Sequence, residues 1–76
     1  MKTRVVPKSV AEMRKLYPIE GRLSGWYFRI IERSAGAYLV EGSDLSGRVV
    51  AREGDDPEAL LEQCVTDARG IKSQLV

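Results

Sequence analysis

Apolar positions recur along this chain with two different periods. From Trp26 to Glu32 they alternate: Trp26, Phe28 and Ile30 fall on one side, and Tyr27, Arg29 and Ile31, continued by Arg33, on the other. That two-residue period is the pattern of a β-strand. From Pro57 to Arg69 the spacing changes. Leu60, Leu61, Cys64, Val65 and Ala68 stand at i, i+1, i+4, i+5 and i+8, a stripe that only a helix places on one face. Between them lie two shorter extended runs, Ala37 to Glu41 and Arg48 to Arg52. In the second strand Tyr38 and Val40 oppose Leu39 and Glu41. In the third, Val49 and Ala51 oppose Arg48, Val50 and Arg52, so both alternations contain apolar residues. A small sheet needs a cover for its apolar face, and the helix is the natural one. The expected fold is α+β: a three-stranded antiparallel meander packed against a C-terminal helix, with a short N-terminal helix attached.

The punctuation agrees with these elements. Ser34-Ala35-Gly36 suits a tight hairpin, and Gly42 to Gly47 suits a longer turn rich in Asp, Ser and Gly. Asp56 is the expected N-cap of the helix, with Pro57 in its first turn. Gly70 stands where a left-handed C-cap would end it, with Ile71 folding back onto Val65 and Lys72 to Val76 frayed or weakly extended. Ser9 and Glu12 form a capping-box pattern ahead of Val10, Met13, Leu16 and Tyr17, which share one face until Pro18 stops the turn. So short a helix must dock on something to persist. Residues 1–8 are expected to be a short edge strand or a flexible arm. Gly21 to Gly25 looks like a connector; it lacks the Gly-Lys-Ser/Thr of a phosphate loop and is followed by a strand.

Seventy-six residues with a net charge of +1 make one domain, 1–76. The charge is uneven. Residues 1–33 hold eight Lys/Arg and three acids, whereas 34–76 hold four and eight. One cysteine and no histidine leave no intramolecular disulfide and favour a reducing, cytoplasmic setting. No apolar run follows the basic N-terminus, so neither a signal peptide nor a membrane span is expected.

The same composition removes the common zinc sets and any Cys/His nucleophile pair. Cys64 sits on the apolar helix stripe as a packing residue. Asp44, Asp55, Asp56 and Glu58 read as turn and cap residues, and their spacing does not make a calcium loop. No enzyme activity and no cofactor are therefore expected. With the helix over the Trp26 side, the opposite face would carry Tyr27, Arg29, Ile31, Leu39, Arg48, Val50 and Arg52, beside Arg33 and Glu41. Arginines mixed with tyrosine and aliphatics are the composition of a protein interface. A partner protein is the leading expectation, with a homodimer through a sheet edge or this face as a further one. Single-stranded nucleic acid bound through Tyr27, Arg29, Arg48 and Arg52 is the alternative.

Gly36, Tyr38, Val40, Asp44-Leu45-Ser46-Gly47, Gly54-Asp55 and Glu58-Ala59-Leu60 follow one another as in the HicB-type antitoxins, which this run resembles. It covers about half the chain. Ser46 stands where that family usually has proline, the segment between Gly47 and Gly54 is longer, and residues 1–25 have no counterpart. The resemblance implies a partial RNase H-like β-β-β-α core and a protein that neutralises a toxin by covering it. Small immunity proteins of bacterial toxin systems are similar at this level.

Overall fold

The computed structural model describes residues 9–74. The expectations for residues 1–8 and for the last two residues lie outside that range. Six elements follow in order: α1 (Val10–Leu16), β1 (Ile19–Leu23), β2 (Trp26–Ser34), β3 (Ala37–Asp44), β4 (Val49–Gly54) and α2 (Pro57–Gln74). The four strands form one antiparallel sheet in the order β1-β2-β3-β4.

The α+β class and the C-terminal helix match the sequence reading, but the sheet has four strands, not three. The extra strand, β1, runs through what looked like a connector. Ile19 lies opposite Phe28 and Leu23 opposite Trp26, with an irregular register between them. Both apolar residues pack against the main core. Glycines at positions 21 and 25 hid this strand, because they lower local β propensity while Ile19 and Leu23 still gain by burial.

The core lies between α2 and one sheet face. Trp26, Phe28, Val40 and Val50 from the strands meet Leu60, Leu61, Cys64, Val65 and Ala68 from α2. The Trp26 and Phe28 rings stack 6.4 Å apart. Ile30 shares their side but stays 39% exposed and outside that cluster, so the helix roofs Trp26 and Phe28 and stops short of Ile30. Gly42 stands between Phe28 and Val50 in the cross-strand register. A Cβ there would collide with Cδ1 and Cε1 of the Phe28 ring. The absent side chain is the seat of that ring.

The helix α2 begins as its sequence suggests. Asp56 Oδ1 accepts from the amides of Glu58 (3.2 Å) and Ala59 (3.3 Å). It does not stop at Gly70, which keeps a negative φ and remains inside the helix. A helical glycine costs about 1 kcal/mol relative to alanine. Here Ile71 extends the buried stripe one turn past Ala68, and the Lys72 ammonium donates to the Ser24 carbonyl at 3.1 Å. Those contacts hold the last turn that a C-cap would have released.

On the opposite face lies α1, closed by the expected reciprocal cap between Ser9 and Glu12. Its Met13 is buried, 1% exposed. Arg29 of β2 ties the helix end down: its guanidinium lies 4.5 Å from the centre of the Tyr17 ring and donates to the Leu16 carbonyl at 3.5 Å. A helix of under two turns persists through such docking, not through its own propensity.

Candidate functional site

The sheet face away from α2 is built in cross-strand rows. Tyr27, Ser43 and Val49 form one; Arg29, Glu41 and Ala51 the next; Ile31, Leu39 and Glu53 the third. Side chains directly opposite in antiparallel strands share a face, so the register fixes this membership.

Of the seven residues expected here, four are on this face. Tyr27 and Arg29 are half-buried and Ile31 is 36% exposed, whereas Leu39 is only 8% exposed. The other three are elsewhere, which corrects the strand phase read from sequence. Val50 is 9% exposed and belongs to the core under α2. Arg52 is on the α2 side, where its Nε and Nη2 bond Asp67 at 2.9 and 3.1 Å, with Nη1 3.5 Å from Gln63 Oε1. Arg48 precedes β4 and is held in the turn by Asp44. The physical reason is the turn itself. Asp44 Oδ1 accepts from the amides of Ser46 (3.0 Å) and Arg48 (2.9 Å), and its Oδ2 pairs with Arg48 Nη1 at 3.0 Å. The Asp44 amide also donates to the Arg48 carbonyl, so Ser43 is matched with Val49. Val49, Ala51 and Glu53 therefore occupy the open face in place of Arg48, Val50 and Arg52.

That one-residue change of phase alters the electrostatics. The expected set of Arg29, Arg33, Arg48 and Arg52 against Glu41 would carry a net charge of +3. The observed face carries Arg29 and Arg33 against Glu41 and Glu53, a net of zero. The charges are also paired: Arg29 Nη2 is 2.7 Å from Glu41 Oε1, and Arg33 Nη1 is 3.4 Å from Glu53 Oε2. The exposed Arg33–Glu53 pair adds little stability, about 0–1 kcal/mol. The larger effect of the two pairs together is to remove positive potential from the face.

Sequence reasoning missed Val49, Ala51 and Glu53. Val49 is 57% exposed, the most open of the large apolar residues here, and it stands on β4, an outer strand of the sheet. Counting the residues of the Asp44 turn would have found it, since that count sets which alternation of β4 continues the Ser43 face.

Three titratable groups elsewhere, Cys64, Arg52 and Arg14, have structural roles. The Cys64 thiol is buried and donates to the Val40 carbonyl at 3.4 Å; burial pushes its pKa up, away from the reactive thiolate. Asp67 and Glu20, by hydrogen bonding, hold the guanidiniums of Arg52 and Arg14 more firmly protonated. Among the described residues no group of His, Cys, Asp or Glu is placed to hold a metal ion, and no helix is long and apolar enough to cross a membrane. The residues shared with the HicB-type run have local duties: Asp44 orders its turn, Gly54 lies against Leu60, and Leu60 fills the core. No family model, curated protein or solved structure matches the chain.

Proposed function

We propose that this chain is a non-enzymatic protein-binding module that uses the open sheet face along β4. The observation that carries the reading is the pairing of exposed aliphatics with neutralised charge. Val49 and Ala51 at the sheet edge, with Ile31 across the face, border two Arg–Glu pairs that leave no net charge. Exposed aliphatics along an edge strand, beside satisfied ion pairs and a half-buried tyrosine, suit a protein partner. A nucleic-acid surface instead needs unneutralised cations along a groove, and Arg29, Arg48 and Arg52 are each held by a carboxylate. The outer edge of β4 also offers backbone groups for strand addition by a partner or a second copy. A toxin-like partner, as the HicB-type resemblance implies, is the narrower form of the proposal.

The test is affinity purification of the tagged chain from its native cell, alongside light scattering of the purified protein. One protein should co-purify in stoichiometric amount, or the chain should itself be a dimer. Val49→Asp should abolish that association while leaving the circular dichroism unchanged. Recovery of nucleic acid alone, or a complex indifferent to Val49→Asp, would remove this reading.

A further inference from the structure

Seven arginines fall within the described residues, and five of them are ion-paired to carboxylates: Arg14, Arg29, Arg33, Arg48 and Arg52. The two that are not, Arg22 of β1 and Arg69 of α2, line the same groove. The buried Val65 and the exposed Thr66 and Glu62 of α2 complete its lining. One helical step beyond Arg69 stands Lys72, another cation without a carboxylate partner among the described residues, anchored to the Ser24 carbonyl. One arginine from a strand and one from a helix thus border a single groove without a carboxylate partner, whereas the other described arginines are neutralised one by one. We infer that this groove between β1 and α2 is a binding site for a dianionic phosphate, either free or as the monoester end of a small molecule. It lies on the α2 side of the sheet, apart from the proposed protein-contact face.

The chemistry of the donors favours phosphate over carboxylate. A guanidinium presents a planar fork that satisfies both oxygens of one carboxylate, so a single arginine suffices for that ligand. Two forks arriving from separate elements need an anion with oxygens pointing in several directions, as a phosphate has. The Thr66 hydroxyl already donates to the Glu62 carbonyl at 3.0 Å, which leaves recognition to the arginines. The groove encloses about 240 Å³, room for a phosphate and a small substituent over Val65. The Glu62 carboxylate on the rim subtracts one charge. Together with solvent exposure it limits affinity to on the order of 1–10 mM.

The test follows the arginine Nε–H signals of nitrogen-15-labelled full chain by NMR. Sodium phosphate is titrated above its second pKa, against sodium chloride at equal ionic strength. Phosphate should shift Arg22 and Arg69 saturably, chloride should not, and the five paired arginines should stay in place. Arg22→Gln and Arg69→Gln, both at exposed positions, should each weaken binding at least about fivefold, the loss of one charge-assisted fork. Glu62→Gln should tighten it roughly threefold, the worth of one charge a few ångströms away in a largely aqueous medium. Phenyl phosphate binding more tightly than phosphate would assign the monoester; equal binding would assign the free anion. Shifts that do not saturate, that chloride reproduces, or that persist in Arg22→Gln would overturn the site.

Discussion

Replacing Gly42 by alanine tests the packing on which the sheet depends. Gly42 has an ordinary negative φ, so alanine meets no backbone strain and any cost is steric. The added methyl would overlap two carbons of the Phe28 ring and come within 3.1 Å of Val50 Cγ2. Phe28 has no solvent-exposed surface and is stacked on Trp26, with α2 across the core. The ring cannot retreat without moving a second aromatic. Overpacking of this kind costs about 1–3 kcal/mol. Against it stands a gain of about 0.5–1 kcal/mol, because alanine loses less chain entropy than glycine on ordering. The net expectation is a destabilisation of about 1–2 kcal/mol. For a domain of this size that lowers Tm by about 5–15 °C.

Gly70→Ala supplies the opposite sign in the same assay. Gly70 is helical, and a Cβ there meets nothing within 4 Å. Alanine should stabilise by about 0.8–1 kcal/mol, raising Tm by about 4–8 °C. Both variants are measured by urea unfolding and thermal melts, with near-UV circular dichroism reporting on Trp26. Gly42→Ala as stable as the parent, with the near-UV spectrum unchanged, would refute the reasoning: Phe28 would then not rest on that glycine.

Three further outcomes follow from the same contacts. Asp44→Ala removes the acceptor for two backbone amides and the partner of Arg48, and should cost about 1–3 kcal/mol in urea unfolding, while Asp44→Asn, which keeps one acceptor oxygen, should cost less. The Cys64 thiol should resist a disulfide reagent at neutral pH until the protein unfolds; because its folded pKa is raised, the native state holds the proton longer, so stability should fall as pH rises past the ordinary thiol value of about 8.5, and Cys64→Ala, which lacks this one contribution, should show a shallower fall over the same range. Arg29→Ala cuts the tie to Tyr17 and Leu16, and amide exchange at Met13 and Tyr17 should accelerate while the β2–β3 amides stay protected; uniform acceleration across the sheet would show that α1 is not a separate unit.

The parts legible in the sequence were those with a strong local period or a cap. The alternation in β2, the stripe on α2, the Ser9 box and the Asp56 cap all rest on neighbours within a few residues. What was not legible depended on distant partners. The strand β1 exists because Ile19 and Leu23 find Phe28 and Trp26 across a hairpin, although Gly21 within it and Gly25 just after it argue locally for a loop. The last turn of α2 persists through Ile71 and Lys72, whose contacts are with the core and with Ser24. Arg22 and Arg69 are 47 positions apart, and nothing in either neighbourhood points to the other.

The phase of β4 carries the largest functional consequence, because a strand offset by one residue exchanges its two faces completely. Read alone, Val49 and Ala51 make as good an apolar row as Val50. The Asp44 turn decides between them, and two tertiary features reinforce its choice. Gly42 leaves a hollow that Phe28 fills, and Val50 lies beside that hollow in the register, so Val50 must point into the core. Arg52, on the same side as Val50, then reaches the flank of α2, where Asp67 and Gln63 receive it. The helix thus draws off an arginine that would have made the open face basic, and the opposite alternation delivers Glu53 to balance Arg33. The Asp44 turn and the hollow at Gly42 agree on this phase, and the phase sets the charge of the opposite surface.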